Sequence, residues 1–146
     1  MHVRFVTDAT DLDACLALRR AVFIDEQRVP EALELDGQDA DCLHVLAIDD
    51  DGGVVGTARL RLTDHGAKVQ RVAVAAAQRR RGVGRRIMEA VVSEARRHHA
   101  AIVVLSSQVT AIPFYEQLGF VASGPVYDDA GIPHRDMHLE LAGPSV

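Results

Sequence analysis

Hydrophobic positions near the amino-terminal end first alternate and then recur with a helical spacing. Residues 2–6 alternate enough to predict a strand. The Thr10-x-x-Asp13 pattern resembles a capping box, and apolar positions follow it, which predicts the start of a helix. Residues 23–42 are acidic and rich in turn formers, so we expect a long loop there that contains a short helix.

The middle of the chain predicts a strand meander followed by a helix. Residues 43–48 and 54–62 are apolar and β-prone, and the Asp- and Gly-rich residues 49–53 between them favour a hairpin turn. A second turn at residues 64–66 leads to a third predicted strand, residues 68–75. Val83, Ile87, Val91 and Ala95 then recur every four residues, which predicts one apolar face of a helix.

The last third of the chain predicts a parallel strand, a helix and a final strand pair. Residues 101–105 form a fully apolar run after the helix, which is typical of a buried parallel strand. Residues 110–118 are predicted to be helical, with Gly119 as a left-handed cap. Residues 120–126 and 134–141 complete the sheet, and residues 143–146 form a frayed tail. We expect a single domain over residues 1–146.

Composition and charge exclude several functional classes. The 146 residues are 48% hydrophobic, enough for a core without a disulfide or metal. The net charge of −5 and an aromatic content of 4% argue against a nucleic-acid partner. No apolar run is long enough for a membrane span and no signal peptide is recognisable, so a cytoplasmic protein is expected. Cys15 and Cys42 lack the spacing of a metal site.

Basic residues crowd around two glycines, Gly82 and Gly84, between a predicted strand and a predicted helix. Unpaired backbone N–H groups and the helix dipole converge at such a point, and glycines allow a close approach, so the turn suits a phosphate. From the residues alone, a helix cap with a solvated basic edge is equally compatible. The spacing matches neither GxxxxGK[ST] nor GxGxxG. The arginines concerned are Arg79, Arg80, Arg81, Arg85 and Arg86.

Two motifs in this order resemble those of the GNAT acyltransferase superfamily. Residues 79–84 match its [QR]xxGx[GA] signature, and residues 111–120 match A-x-x-x-Y-x-x-x-G-F. The family's usual Asn three residues before that Ala is Gln108 here. Further positions resemble the ElaA/YjcF-like branch. They are Arg19, Val22, Phe23, Glu26, Gln27, Glu34, Asp36, His44, Gly131, Ile132, Pro133 and His134.

The resemblance implies an α/β (α+β) fold with a mixed, mostly antiparallel central sheet flanked by helices and splayed at a coenzyme A cleft. It implies direct acyl transfer, without a metal, from acetyl-CoA to a primary amine of a small molecule or peptide. The implied oxyanion donor is a main-chain N–H near Val74. The implied coenzyme contacts are Val72, Ala73, Val74, Arg79, Arg80, Arg81, Gly82, Val83, Gly84, Arg85 and Gln108.

Tyr115 is the candidate general acid, because a phenol can donate a proton to a leaving thiolate. Without the resemblance, the same tyrosine would be read as a packing residue. Many family members carry a Glu base on the third strand, but residues 68–72 contain no carboxylate. An acidic loop, residues 25–41, is expected over the acceptor pocket, where it would favour a cationic amine. Candidate base and substrate residues are Phe23, Glu26, Glu34, Asp36, His44 and His134.

Two other functions stay open at this point. The pattern of Arg19, Phe23 and the acidic residues is also similar to that of acyl-homoserine-lactone synthases, which use a related fold. A non-catalytic acyl-CoA sensor is the second alternative, because the expected strand carboxylate is missing. The acceptor and the choice between monomer and homodimer are not determined by the sequence.

Overall fold

The computed structural model describes residues 1–141 and contains seven strands and four α-helices. The strands are β1 (His2–Phe5), β2 (Leu43–Ile48), β3 (Val54–Thr63), β4 (Gly66–Val74), β5 (Ile102–Gln108), β6 (Val121–Asp129) and β7 (Ile132–Glu140). The helices are α1 (Ala9–Arg19), α2 (Glu31–Glu34), α3 (Val83–Arg97) and α4 (Ile112–Gln117).

The strands form one open sheet in the order β1-β2-β3-β4-β5-β7-β6. Only β4 and β5 pair in parallel, and α3 is the crossover between them. The mixed, mostly antiparallel sheet that the sequence predicts is therefore confirmed, although β5 runs three residues further than expected, to Gln108. Strand β7 lies between β5 and β6, so the final pair adds to the sheet through its second strand. The predicted tail, residues 143–146, lies outside the described residues.

The first helix begins earlier and continues further than the sequence predicts. Asp8 is its N-cap, and the Asp8 carboxylate accepts a hydrogen bond of 2.8 Å from the Asp11 amide. The predicted capping box at Thr10 is wrong, because Thr10 is already inside the helix. After Arg19 the chain continues as a π-helix, Arg20–Glu26, so the expected loop is helical as far as Glu26.

Helix α3 packs on one face of the sheet, and α1 together with the segment that follows it covers the other. Close packing under α3 requires Gly56, since a Cβ atom there would lie 2.4 Å from Ile87 Cδ1. Side chains alternate along a strand, so Arg59 points to the opposite face and meets residues 36–39. No helix in residues 1–141 has both the length and the apolar composition to cross a membrane.

Candidate functional site

The parallel pairing between β4 and β5 stops partway along both strands. Residues 67–69 pair with residues 103–105, but β4 continues to Val74 and β5 to Gln108 without pairing to each other. A bulge in β4 lies at the point of divergence, where Arg71 adopts a left-handed φ of 59°. A bulge bends its strand and disrupts the ladder. The two strand ends therefore diverge and leave a wedge-shaped gap.

A cleft of about 400 Å³ occupies this gap. One wall is β4, residues 68–72, and the facing wall is β5, residues 105–108. Phe23, Gln27, Val29, Leu33 and Glu34 contribute from the segment that follows α1. Ala111 and Tyr115 line the cleft as well, together with Tyr127, Asp129, Ala130, Ile132 and His134 from the β6–β7 end of the sheet.

Tyr115 lies on α4 and borders the cleft. Its side chain is 7% exposed and packs edge-on against Phe114 and Phe120, with ring centroids 4.9 and 5.9 Å away. Burial raises the pKa of the Tyr115 phenol above its ordinary value. The residue is therefore both part of the core and a protonated donor beside the cleft at neutral pH.

The basic turn leads into the amino-terminal end of α3. Gly82 is the N-cap of this helix in a left-handed conformation, with φ 80° and ψ 8°, and no side chain caps the helix. The first N–H groups of a helix have no acceptor within it, and the helix dipole favours an anion there. The side chains of Arg80 and Arg81 are exposed beside these amides. This turn has the donors and the charge to hold a phosphate.

The two glycines of the turn serve different purposes. At Gly82 a Cβ atom would meet no atom within 4 Å, so packing does not require glycine there. What favours glycine at this position is its positive φ. At Gly84 a Cβ atom would lie 3.2 Å from Phe114 Cζ, so the constraint is packing against α4. Of the two glycines, only Gly82 has open space in which an anion could approach the backbone.

Two side-chain bridges connect residues 26–27 to both sides of the cleft. The Arg79 guanidinium donates two hydrogen bonds to the Glu26 carboxylate, at 2.6 and 2.8 Å, and one from Nε to the Val74 carbonyl at 3.1 Å. Gln108 Nε2 donates to Gln27 Oε1 at 2.8 Å. Arg79 lowers the pKa of the Glu26 carboxyl. Glu26 thus pairs with the basic turn and does not line the cleft.

His134 lies at the β7 side of the cleft with a defined tautomer. Its Nδ1 is 2.7 Å from the Ile132 carbonyl oxygen, which can only accept, so Nδ1 carries the proton. The neutral ring then has a lone pair on Nε2. The ring stacks on Tyr127, whose hydroxyl donates to Asp136 at 2.6 Å and contacts Ser106. His134 can therefore accept a proton through Nε2.

The acidic segment expected over the cleft is paired with buried arginines. Arg19 donates to Glu34 at 2.8 Å and to Asp39 at 2.6 Å. Arg59 donates to Asp36 at 2.5 Å and to Asp39 at 3.0 Å. Both guanidiniums are at most 1% exposed, and Arg59 holds the pKa of Asp36 well below its usual range. These ion pairs offset the negative charge that was expected to attract a cationic amine.

The structure gathers some of the sequence-predicted site residues and separates others. Six of them line the cleft: Phe23, Glu34, Val72, Gln108, Tyr115 and His134. Ala73 packs instead against Leu18 and Val22. His44 is 5% exposed and its Nε2 is 2.8 Å from the Asp39 carbonyl, away from the cleft lining. Asp36 is likewise held by Arg59 outside it.

Some cleft residues were not among the candidate site residues. Gln27 resembles the ElaA/YjcF-like branch, but the sequence gives it no role in the site. Lys68 and Arg71 lie on a strand where the sequence shows only that a carboxylate is missing. Tyr127, one of two tyrosines in the chain, lay in a predicted turn region. In residues 1–141 no cluster of three or more His, Cys, Asp or Glu side chains is placed to hold a metal ion.

A family model, a sequence relative and a solved structure all relate this chain to the same family. A family model described as Acetyltransferase (GNAT) domain matches residues 6–141. The chain is 36% identical over 121 residues to the uncharacterized N-acetyltransferase YjcF of Bacillus subtilis, covering 82% of this chain and 86% of YjcF. The crystal structure of Escherichia coli ElaA superposes with a TM-score of 0.85 at 30% identity, covering 95% and 99% of the two chains.

A more distantly related protein with the same fold has been solved with a bound ligand. The crystal structure of aminoglycoside 6'-N-acetyltransferase complexed with coenzyme A has a TM-score of 0.79 at 14% identity, and the superposition covers 100% of both chains. At this identity the likeness concerns the fold.

Proposed function

The chain belongs to the GNAT acetyltransferase domain family, and on this premise we propose that it transfers an acetyl group from acetyl-CoA to a primary amine. One observation carries the proposal: α3 begins at Gly82 without a side-chain cap, and Gly84 in its first turn packs against Val74 at the end of β4, the strand that diverges from β5. A coenzyme bound there would supply the acetyl group as a thioester. The neighbour complexed with coenzyme A supports the same ligand.

The residues of the turn fit a diphosphate. The amides of residues 83–85 have no side-chain cap, and the space in front of Gly82 is open. Arg80, Arg81 and Arg85 are exposed around it and can add charge-assisted hydrogen bonds. Arg79 is bound to Glu26 and the Val74 carbonyl, so its role is to position the turn against β4.

The diverging strands would hold the pantetheine arm and the acyl group. Beyond residue 69, the backbone N–H and C=O groups of β4 that face β5 make no strand-pairing hydrogen bonds to β5. An N–H group in this stretch, up to Val74, is free to donate to the acyl oxygen as negative charge develops there. Val72 lines the cleft and offers an apolar contact beside these groups.

Tyr115 is proposed as the general acid. Burial raises the pKa of its phenol, so the hydroxyl carries its proton at neutral pH and can donate a hydrogen bond to the sulfur as the thiolate leaves. The other tyrosine, Tyr127, is less suited to the role, because its hydroxyl already donates to Asp136.

His134 is proposed as the general base. An amine with a pKa of about 10.4 is almost fully protonated at neutral pH and has to lose a proton before it attacks. Nε2 of His134 is the free acceptor of a ring that is held by the Ile132 carbonyl and lies in the cleft wall. No carboxylate on β4 is needed for this step.

The test combines coenzyme binding with turnover. Calorimetry with acetyl-CoA and release of free CoA in the presence of an amine panel measure the two properties separately. Tyr115→Phe should lower kcat by about 100-fold or more while the Kd for acetyl-CoA changes little. Tyr127→Phe is the comparison for loss of a cleft hydroxyl: it keeps the ring beside His134 and should lower kcat much less than Tyr115→Phe.

His134→Gln should likewise reduce turnover, with His138→Gln on the same strand as its control. Coenzyme binding without release of CoA for any amine would favour the sensor alternative. Full activity of Tyr115→Phe would eliminate the proposed acid, and failure to bind acetyl-CoA would refute the whole assignment.

A further inference from the structure

The sequence predicts negative charge around the acceptor pocket, but the side of the cleft formed by β4 and Glu34 is not negative. Glu34 lines the cleft, but Arg19 donates to it at 2.8 Å and both side chains are almost fully buried. The other two cleft residues that carry a formal charge on this side are basic, Lys68 and Arg71 on β4. The side of the cleft that includes the β4 bulge is therefore cationic.

Arg71 differs from the other two arginines of the ion-pair network in how it uses its donors. Only Nη2 makes hydrogen bonds, to the Leu33 and Glu34 carbonyls at 3.1 Å each and to Asp36 at 3.4 Å. Nε is buried and ion-paired with Glu34, whose Oε1 lies 3.2 Å away, so it is not accessible from the cleft. Nη1 makes no hydrogen bond to any residue within 1–141, so Arg71 has one nitrogen, Nη1, to spare at the wall of the cleft.

Arg71 lies in the cleft wall with its side chain 22% exposed, held by ion pairs to Glu34 and Asp36 at 3.2 and 3.4 Å. Burial and the neighbouring Arg59 lower the pKa of Arg71, so a further anion beside Nη1 would stabilise its charge. Lys68 is exposed on the same strand and makes no ion pair with any described residue. A guanidinium N–H group beside a free ammonium group is suited to a carboxylate.

We propose that the acceptor amine also carries a carboxylate, and that Nη1 of Arg71, together with Lys68, binds it. The inference rests on the proposed acetyl transfer, since the ligand is the acceptor of that reaction. The natural substrate class is then an amino acid or a similar amino carboxylate. Asp129 lines the cleft from the β6 side and has no ion-pair partner in residues 1–141, which suits the ammonium form that arrives with such a molecule.

The test compares acceptors that differ only in the carboxylate. Release of CoA is measured with the standard amino acids, and three of them are matched with their decarboxylated amines: leucine with isopentylamine, phenylalanine with phenethylamine, and lysine with cadaverine. At least one carboxylated acceptor should exceed its matched amine about tenfold or more in kcat/KM, as expected for a charged hydrogen-bonded contact.

Variants attribute the preference to the proposed residues. Arg71→Gln should raise KM for the carboxylated acceptor about ten- to hundredfold and change kcat/KM for the matched amine by less than about threefold. Lys68→Ala should give a smaller effect in the same direction, and it removes no side-chain hydrogen bond or ion pair within the described residues. Arg61→Gln, an exposed arginine on β3 that contacts Gln38, is the control. Thermal unfolding shows whether each variant is folded.

A binding measurement keeps the subsite testable apart from turnover. N-acetylated amino acids and the N-acetyl derivatives of the matched amines are titrated into the CoA-saturated protein. Wild type should bind the carboxylated compounds more tightly, and Arg71→Gln should lose this preference. Equal turnover of amine and amino acid, or equal binding of the two acetylated forms, would overturn the subsite. If no amine releases CoA although CoA binds, the proposed transfer fails, and the titration alone decides the subsite.

Discussion

Replacing Gly82 by alanine tests whether the start of α3 holds a phosphate. The Cβ atom would meet nothing within 4 Å, so the variant adds no clash within the protein. It does force alanine into a φ of about 80°, which costs roughly 1–2 kcal/mol. For 146 residues the unfolding entropy is about 0.3 kcal/mol/K, so Tm should fall by about 3–7 °C.

Gly124 provides a matched control for the conformational cost. It has a φ of 77°, and its Cβ position also meets nothing within 4 Å, but it lies on the edge strand β6 away from the turn. Gly82→Ala and Gly124→Ala should therefore lower Tm by similar amounts. Only Gly82→Ala places a methyl group in the space where a phosphate would approach the amides of α3.

Thermal unfolding with acetyl-CoA separates the two effects. A ligand at about 100 times its Kd stabilises the folded state by about 2.7 kcal/mol, which corresponds to a rise in Tm of about 9 °C. A tenfold weaker Kd would reduce that rise to about 5 °C for Gly82→Ala, while Gly124→Ala should keep the full rise. If both variants keep the full rise, the Gly82 turn does not contact the coenzyme and the reasoning is refuted.

Three further predictions concern the ion pairs and the packing under α3. Arg59→Met should lower the unfolding free energy by about 3–5 kcal/mol in urea titrations, because Asp36 and Asp39 keep their charges without the buried guanidinium; an unchanged midpoint would contradict this. Because the pKa of Asp36 is lowered in the folded state, its carboxylate stabilises the fold above about pH 4, and this stabilisation is lost as the pH falls towards the folded-state pKa. Asp36→Asn should therefore make the unfolding free energy less dependent on pH in the acid range. Gly56→Ala should cost about 1–3 kcal/mol, since its methyl group must displace Ile87; a Tm equal to wild type would show that α3 can shift without cost.

Local sequence patterns predicted most of the elements because the contacts that define them are close in sequence. The hairpin of β2 and β3 and the apolar face of α3 follow from side-chain periodicity and turn residues. The start of α1 was misassigned, since Asp8 and Thr10 are both acceptable caps and the choice depends on the Asp8 contact with the Asp11 amide. The π-helix that follows α1 has no local signature of this kind.

The phosphate turn was predictable, but the character of the cleft was not. Gly82 and the arginines mark the turn in the sequence, because a helix start and its glycine are neighbours along the chain. Composition alone shows that the segment containing Glu34 and Asp36 is acidic. Whether these carboxylates are neutralised depends on ion pairs with Arg19 and Arg59, which lie 15 and 23 residues away in the sequence.

The sequence by itself determined the kind of fold and the place of the turn, through residues that act within a few positions of one another. Only the tertiary structure decided where β4 leaves β5 and which arginine of the ion-pair network lines the gap. The physical reason is that strand divergence and ion pairing depend on side chains that folding brings together from distant segments, and no local pattern specifies which charges will meet.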